Sequence, residues 1–186
     1  MTTEKTFRIG IVVGEVSGDY LASELIKKIK QRLPNTQFEG IAGPKMLELG
    51  CHSFYSMDRL AVMGLFEVLG RLFELLKIRK ALVKHWTQSP PDLFIGVDAP
   101  AFNIGLAQLL KQHGIKTVQY VGPTVWAWRA SRIFRIKKAV DTVLTLFPFE
   151  TDIYTRHGIK VVFVGHPLAD EIPLQLDSAV VRGHFN

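Results

Sequence analysis

Asp98 is the residue of this sequence best placed to act as a base. It follows the apolar run at residues 93–97 and stands two residues before Pro100, which suits the first position of a helix. Ala99 is then expected to cap that helix, which leaves the Asp98 carboxylate free for chemistry. Partial desolvation raises the pKa of a carboxyl group and makes it a better general base toward a hydroxyl group. The alternative is an aspartate that only hydrogen-bonds the main chain of its own loop.

The glycine-containing turn at residues 14–19 could bind an anion or a polar sugar. Ser17 is expected to cap the helix that follows, and Gly18 lets a ligand approach the free N–H groups of the helix start. Two positions where a dinucleotide-binding G-x-G-x-x-G motif needs glycine carry other residues, so NAD is not predicted. Asp19 is expected to interact with the dipole of its own helix. The alternative is a cap and turn without a ligand.

Aromatic and basic residues cluster after the next apolar run of the second half. Trp126 and Trp128 carry indole rings, which can stack on sugars. Arg129 opens a stretch of ten residues that contains five basic residues and no acid. Three of the five share one helix face: Arg132, Arg135 and Lys138. The cluster predicts phosphate binding; the alternative is that the tryptophans pack in the core and the basic face is only solvated.

The segment at residues 59–86 is both basic and amphipathic. It contains six Lys or Arg residues against two glutamates, and Gly64 and Gly70 are expected to break it into shorter helices. The apolar stripe is wider than a single covering helix needs, so we expect part of it to meet lipid while the basic residues meet headgroups. The alternative is core packing. The expected membrane-contact residues are Val62, Leu65, Phe66, Leu69, Leu72, Phe73 and Leu76.

Strand-like and helix-like patterns alternate along the chain, which predicts an α/β fold with a doubly wound, mostly parallel sheet. Strands are predicted at residues 7–13, 38–42, 53–55, 93–97, 115–121, 142–147 and 161–164. Further helices are predicted at residues 21–33, 103–112, 131–140 and 150–157. Ligands of such sheets bind beyond the carboxyl ends of the strands, where the winding reverses. The turn at residues 14–19 and Asp98 should therefore face each other across one cleft.

The composition is typical of a globular domain with a single hydrophobic core. The chain has 186 residues, 47% hydrophobic residues and a net charge of +6, which suits an anionic partner. One cysteine and no long apolar run favour a cytoplasmic protein without a membrane-spanning helix. We expect one domain at residues 1–166. Residues 167–186, with two prolines and mixed charges, are expected to be a linker or the start of a missing second domain.

Six short segments, in this order, resemble the motif series of the lipid-A-disaccharide synthases over nearly the whole chain. They are residues 14–19 (Gly-Glu-Val-Ser-Gly-Asp), 41–44 (Ile-Ala-Gly-Pro), 61–64 (Ala-Val-Met-Gly), 96–100 (Gly-Val-Asp-Ala-Pro), 125–129 (Val-Trp-Ala-Trp-Arg) and 165–167 (Gly-His-Pro). The resemblance implies the Rossmann-like, acceptor-side domain of a two-domain GT-B glycosyltransferase of glycosyltransferase family 19.

The resemblance also implies a reaction. Such an enzyme transfers 2,3-diacylglucosamine from its UDP derivative to the 6-hydroxyl of 2,3-diacylglucosamine 1-phosphate (lipid X) with inversion, and it needs no cofactor or metal. Asp98 would be the catalytic base. The implied substrate-binding residues are Gly14, Ser17, Gly18, Trp126, Arg129 and His166. The enzyme would sit on the anionic inner face of the cytoplasmic membrane of Gram-negative bacteria, with the segment around residues 62–76 in contact with lipid.

The chain departs from the family pattern in three places. Many relatives have a second aspartate after the proline, where this chain has Ala101, so a paired carboxylate is excluded here. Gly122 and Thr124 replace the usual serines, which puts hydroxyl contacts at that loop in doubt. The family binds UDP mainly through a carboxyl-terminal domain that is expected to be missing, so the chain alone should not turn over.

Three other functions compete with this interpretation. A related GT-B enzyme for another nucleotide sugar would share the sheet and the cleft, but not the basic amphipathic segment or the tryptophan motif. A non-catalytic lipid-binding half-domain would need the basic and apolar surface, but not Asp98. The positive charge also admits nucleic-acid binding, although no nucleic-acid partner is predicted.

Overall fold

The computed structural model describes residues 6–61, 65–123 and 132–172, and for residues 65–69 it describes the main chain only. The strands are β1 (Arg8–Val13), β2 (Gln37–Ala42), β3 (His52–Ser56), β4 (Leu93–Val97), β5 (Thr117–Tyr120), β6 (Thr142–Thr145) and β7 (Lys160–Phe163). The helices are α1 (Val16–Arg32), α2 (Pro44–Glu48), α3 (Leu65–Gln88), α4 (Pro100–Gln112), α5 (Arg132–Ala139), α6 (Phe149–Arg156) and α7 (Pro167–Glu171). A single 3₁₀ turn lies at Met57–Arg59.

The strands of the described residues form one parallel sheet in the order β3-β2-β1-β4-β5-β6-β7. The order confirms the doubly wound architecture, because the winding reverses between β1 and β4. These two strands pair directly, with Val13 opposite Val97 at their carboxyl ends. The chain segments that leave them are therefore neighbours, as the alternation of strands and helices predicted.

Burial on both faces explains why the central strands are almost continuously apolar. Ile11, Val12 and Val13 of β1 are fully buried, with helices on either side of the sheet. Trp86 of α3 is also fully buried, and its ring lies 3.0 Å from where a Cβ atom on Gly10 would stand. A glycine in β1 thus makes room for the indole that packs α3 onto the sheet.

Helix α3 divides into a buried and an exposed half. Ile78, Leu82 and Trp86 recur every four residues and pack into the core, whereas apolar residues one to two turns earlier are exposed. The expected break at Gly70 is wrong, since α3 continues through it. A glycine costs a helix only about 1 kcal/mol relative to alanine, and the Leu, Glu, Lys and Arg residues around it favour helix. The expected break at Gly64 lies outside the described residues.

No helix in the described part of the chain combines the length and the apolar character that a bilayer crossing requires.

The carboxylate of Asp141 joins α4 to the sheet. One oxygen lies 3.0 Å from Lys111 Nζ, and the other accepts a hydrogen bond of 2.9 Å from the Thr117 N–H. Burial raises the pKa of Asp141, but the Thr117 N–H and the Lys111 ammonium outweigh burial, so this pKa lies below its ordinary value of 3.8. The ionised carboxylate therefore stabilises the fold.

Asp141→Asn should lower the melting temperature at neutral pH by roughly 2–4 °C, the equivalent of about 1 kcal/mol for a chain of this size. Because the folded-state pKa is depressed, the stabilisation is complete above the ordinary pKa and is lost as the pH falls through the folded-state pKa. The difference between wild type and variant should thus shrink below about pH 4. Melting curves across this range test it, and a difference that stays constant in acid would contradict it.

Candidate active site

The turn after β1 and the segment after β4 are in contact at the carboxyl edge of the sheet. A Cβ atom on Gly18 would lie 3.7 Å from Cβ of Asp98, and one on Gly14 would lie 2.7 Å from Cβ of Ala99. A separation of 2.7 Å is too short for two carbon atoms that are not bonded. Only glycine at position 14 lets the two segments approach this closely, so the turn after β1 packs directly against the residues that follow β4.

Asp98 is half-buried and adopts an uncommon main-chain conformation. Its φ angle is 51° and that of Ala99 is 40°, both in the left-handed region. The predicted cap is confirmed, because α4 begins at Pro100 with Ala99 as N-cap and without a side-chain capping bond. Within the described residues no hydrogen bond or ion pair reaches the Asp98 carboxylate. The carboxylate is therefore available to a ligand at this edge of the sheet.

Two buried amide side chains lie beneath Asp98, and the sequence reasoning missed both. Asn103 Nδ2 donates a hydrogen bond of 2.9 Å to the main-chain carbonyl of Asp98, and Gln119 Nε2 donates one of 3.1 Å to the same oxygen. Both side chains are completely buried. A signal was present in the sequence, since each is a lone polar residue between apolar neighbours that pack in the core.

Ser17 does not cap α1, contrary to the prediction. The helix begins at Val16, its N-cap is Glu15 in extended conformation, and no side chain caps it. Ser17 is exposed in the first turn, one residue before buried Gly18. The prediction failed because β1 ends at Val13 and α1 already begins at Val16, one residue before the serine. Ser17 therefore lies on the surface, directly before the glycine that packs against Asp98.

Asp19 interacts with another helix and not only with its own. It lies in the first turn of α1, as expected, but it is buried, and its carboxylate accepts hydrogen bonds from the N–H groups of Lys45 and Met46 at 2.9 and 3.2 Å. These are the first free donors of α2. A Cβ atom on Gly43 would overlap this carboxylate. Asp19 thus has a structural role that joins α1 to α2.

A cavity of about 230 Å³ lies between the start of α4 and α5. Its apolar lining includes Pro100 and Ala101, the residues that follow the Asp98 turn, and its charged lining is Arg132 and Arg135. Within the described residues no acidic side chain pairs with either arginine. The structure thus brings two of the five predicted basic residues to the edge that carries Asp98. Trp126 and Arg129 lie outside the described residues.

Tyr154 holds the loop that leads from β5 toward this cavity. Its hydroxyl donates a hydrogen bond of 3.1 Å to the carbonyl of Pro123, and a Cβ atom on Gly122 would overlap it. Burial, with a smaller contribution from Glu150, raises the pKa of Tyr154, so the phenol stays protonated and remains a donor. Position 122 is the one at which the family resemblance implies a serine. The packing of Tyr154 explains why this chain has glycine there.

His166 lines a different cavity from the one that carries the two arginines. It is the N-cap of α7, and its Nδ1 accepts a hydrogen bond of 3.2 Å from the Leu168 N–H. The second cavity has a volume of about 340 Å³ and is also lined by Tyr120, Lys28 and Glu171. Glu171 in turn accepts a hydrogen bond of 2.8 Å from the Tyr20 hydroxyl, which joins α7 to α1.

The expected membrane-contact residues that the structure describes are on the surface. Phe73 is 83% exposed, Leu72 40% and Leu76 41%, all in the first half of α3. Val62 lies outside the described residues, and so do the side chains of Leu65, Phe66 and Leu69. We call Leu72, Phe73 and Leu76 the α3 patch. Arg59 pairs with Glu74 at 2.6 Å beside it, so the patch has a charged border.

Comparison with known proteins identifies the relatives of this chain. The family model described as lipid-A-disaccharide synthetase matches residues 9–185. The chain is 55% identical over 179 residues to the lipid-A-disaccharide synthase of Vibrio parahaemolyticus, covering 96% of this chain and 47% of that relative. It is 56% identical to that of Pseudoalteromonas translucida, covering 96% of this chain and 46% of that relative.

One solved structure supports the fold. The glycosyltransferase of kitacinnamycin superposes with a TM-score of 0.56 at 13% identity, over 94% of this chain and 54% of that protein. The chain spans about half the length of the curated relatives it matches. The match to the family model and the identity to curated relatives cover nearly the whole chain, and we conclude that it belongs to the lipid-A-disaccharide synthase family.

Proposed function

We propose that this chain supplies the acceptor side of a lipid-A-disaccharide synthase. The complete enzyme would transfer 2,3-diacylglucosamine from its UDP derivative to 2,3-diacylglucosamine 1-phosphate, giving the β-1,6-linked disaccharide 1-phosphate and UDP. The observation that carries the proposal is Asp98 itself: it is half-buried, its carboxylate has no partner in the described residues, and it lies beside the Gly18 turn at the carboxyl edge of the sheet.

In this reaction Asp98 acts as general base on the acceptor. It takes the proton of the 6-hydroxyl as that oxygen attacks the anomeric carbon of the donor sugar. The bond from that carbon to the UDP oxygen breaks on the opposite side, and UDP leaves with the bonding pair, so the configuration inverts. One carboxylate is sufficient for this single displacement, which is consistent with Ala101 at the position of the family's second aspartate.

The arginine-lined cavity would hold the phosphate of the acceptor. Arg132 and Arg135 supply fork-shaped donors that suit phosphate oxygens. Helices α4 and α5 both start at this cavity, and neither has an acidic residue in its first turn. Their positive dipole ends therefore add to the charge of the guanidinium groups. Binding of an anion would reduce the electrostatic repulsion among these positive groups, which lie close to Asp98.

Replacing Arg135 with alanine should raise the KM for the phosphorylated acceptor about tenfold, because a charge-assisted hydrogen bond to phosphate is lost. Lys138→Ala is the matched control, since Lys138 is exposed on the same helix and does not line the cavity. Steady-state kinetics of both variants test this role. An equal rise of KM in both would show that only overall charge matters.

The α3 patch would place the enzyme on the membrane that holds both acylated substrates. Phe73 projects apolar surface into solvent, and Lys77 and Lys80 on the following turn are exposed. An apolar patch beside basic residues suits insertion at the headgroup level of an anionic bilayer. We therefore propose a peripheral location on the inner face of the cytoplasmic membrane.

A complementation experiment tests the proposed function. This chain would be followed in one polypeptide by the carboxyl-terminal half of the Vibrio parahaemolyticus relative, which we call the completed enzyme. We expect vesicle binding by the chain alone and transfer only by the completed enzyme, because the remaining half of the family's length is proposed to bind UDP. Transfer by the chain alone would contradict this division. Lipid binding by a completed enzyme without any transfer would favour a non-catalytic lipid-binding module.

A further inference from the structure

We propose that Asn103 and Gln119 are positioning residues that set the direction of the Asp98 carboxylate. The inference rests on the proposed role of Asp98 as base. It starts from an unusual feature of the main chain: the residues outside glycine with positive φ in the described chain are Asp98, Ala99 and Val121, at 51°, 40° and 66°. All of them lie at the carboxyl ends of β4 and β5, and such conformations persist only where the surroundings hold them.

Asn103 holds the segment that leaves β4 and joins it to β1. Its Nδ2 lies 2.9 Å from the carbonyl oxygen of Asp98, and 3.3 Å from those of Val12 and Val97. Asn103 therefore connects the carboxyl ends of β1 and β4, the two strands that precede the Gly18 turn and Asp98. Being in the first turn of α4, it moves with the helix that Pro100 starts.

Gln119 binds the same turn from β5, and its side chain lies on the same face of the sheet as Asn103. Its Nε2 donates to the carbonyl of Asp98 at 3.1 Å and to that of Val121 at 3.2 Å. Two of the residues with positive φ are thus bound by one amide. The Asp98 carbonyl accepts hydrogen bonds from both Asn103 and Gln119, so two side chains hold its peptide group in place. The Cα atom that carries the Asp98 side chain is held with it.

The packing and the hydrogen bonds explain why amides suit these two positions. Both side chains are completely buried, and a Cβ atom on Gly96 would lie 2.8 Å from Asn103 Cβ and 2.9 Å from Gln119 Oε1. The glycine in β4 makes room for both. A buried polar side chain is costly unless it finds hydrogen-bond partners. The two amide nitrogens donate to main-chain carbonyls at the ends of β1, β4 and β5, whereas the two amide oxygens have no partner in the described residues. Apolar residues of similar shape would fill the space but leave the turn unsupported.

The test compares Asn103→Leu and Gln119→Met in the completed enzyme, alone and combined with Asp98→Asn. We expect each single variant to lower kcat by about 100-fold with an unchanged KM, since small displacements of a catalytic group have effects of this size. In the Asp98→Asn background the same substitutions should have no further effect on the residual rate. Thr145→Val is the control, because Thr145 is also completely buried at the end of a neighbouring strand.

Each outcome of this experiment is decisive. Equal losses in the presence and absence of the Asp98 carboxylate would show that the amides support the fold in general, and would overturn the positioning role. A loss of kcat in Thr145→Val as large as that in the two amide variants would also overturn the positioning role. If one variant does not fold, as judged by circular dichroism, the other carries the comparison. Full transfer by the Asp98→Asn enzyme would instead overturn the proposed base, which separates the failure of that proposal from the failure of this one.

Discussion

Replacing Asp98 with asparagine should lower kcat of the completed enzyme by about a thousandfold, the usual contribution of a general base. Asparagine keeps the shape of the side chain but cannot take the proton of the acceptor hydroxyl. The Asp98 carboxylate has no partner in the described residues, so its loss should change neither the fold nor the cleft. We therefore expect the KM values for both substrates to remain close to those of the unsubstituted enzyme.

The measurement is a steady-state transfer assay together with a binding assay for the phosphorylated acceptor. Asp58→Asn is a matched control, because Asp58 is an exposed aspartate whose carboxylate accepts a local bond from Ser56. Unaltered kcat in the Asp98 variant would rule out its role as base. Loss of acceptor binding without loss of kcat at saturation would assign Asp98 to recognition of the acceptor rather than to proton transfer.

Exchanging the three residues of the α3 patch for serine should weaken vesicle binding about 30-fold, the equivalent of about 2 kcal/mol. Most of the effect should come from Phe73, because it is 83% exposed and contributes little to the core. Leu72 and Leu76 are only 40% and 41% exposed, so their exchange should lower the melting temperature by a few degrees, and binding is measured well below that transition. Flotation with vesicles of phosphatidylethanolamine and phosphatidylglycerol measures the binding.

Control variants distinguish the patch from exposed apolar surface in general. Leu33, Leu109 and Phe163 are 45%, 37% and 48% exposed and lie on other elements, so changing them to serine should preserve vesicle binding. Vesicles without anionic lipid should bind wild type more weakly, since basic residues border the patch. Equal binding by the patch variant and the control variant would contradict a lipid contact of α3.

The sequence was sufficient to predict the sheet because its architecture depends on local patterns. Apolar runs of strand length, separated by helix-length segments, permit few topologies, and right-handed parallel connections narrow them to a doubly wound sheet. The proline at position 100 placed the start of α4 correctly, since its ring fixes φ and needs no hydrogen-bond donor. The proximity of Gly18 and Asp98 followed from this topology.

Contacts between segments that are far apart in the sequence could not be predicted from local patterns. Asp19 binds N–H groups 26 and 27 residues away, and nothing local indicates which helix a carboxylate will serve. The choice between Ser17 and Glu15 as N-cap depends on the residue at which β1 ends, and helix boundaries read from patterns are uncertain by a residue or two. Asn103 and Gln119 stand out in the sequence as lone polar residues among apolar neighbours, but their roles could not be assigned, because the strained turn that they bind has no sequence signature.

The bond network of Asp19 has a mechanical consequence. A single carboxylate fastens the start of α2 to α1, and a glycine at position 43 makes the fit so close that no other residue could stand there. The segments after β1 and β2 are therefore linked, and a shift of one should be transmitted to the other.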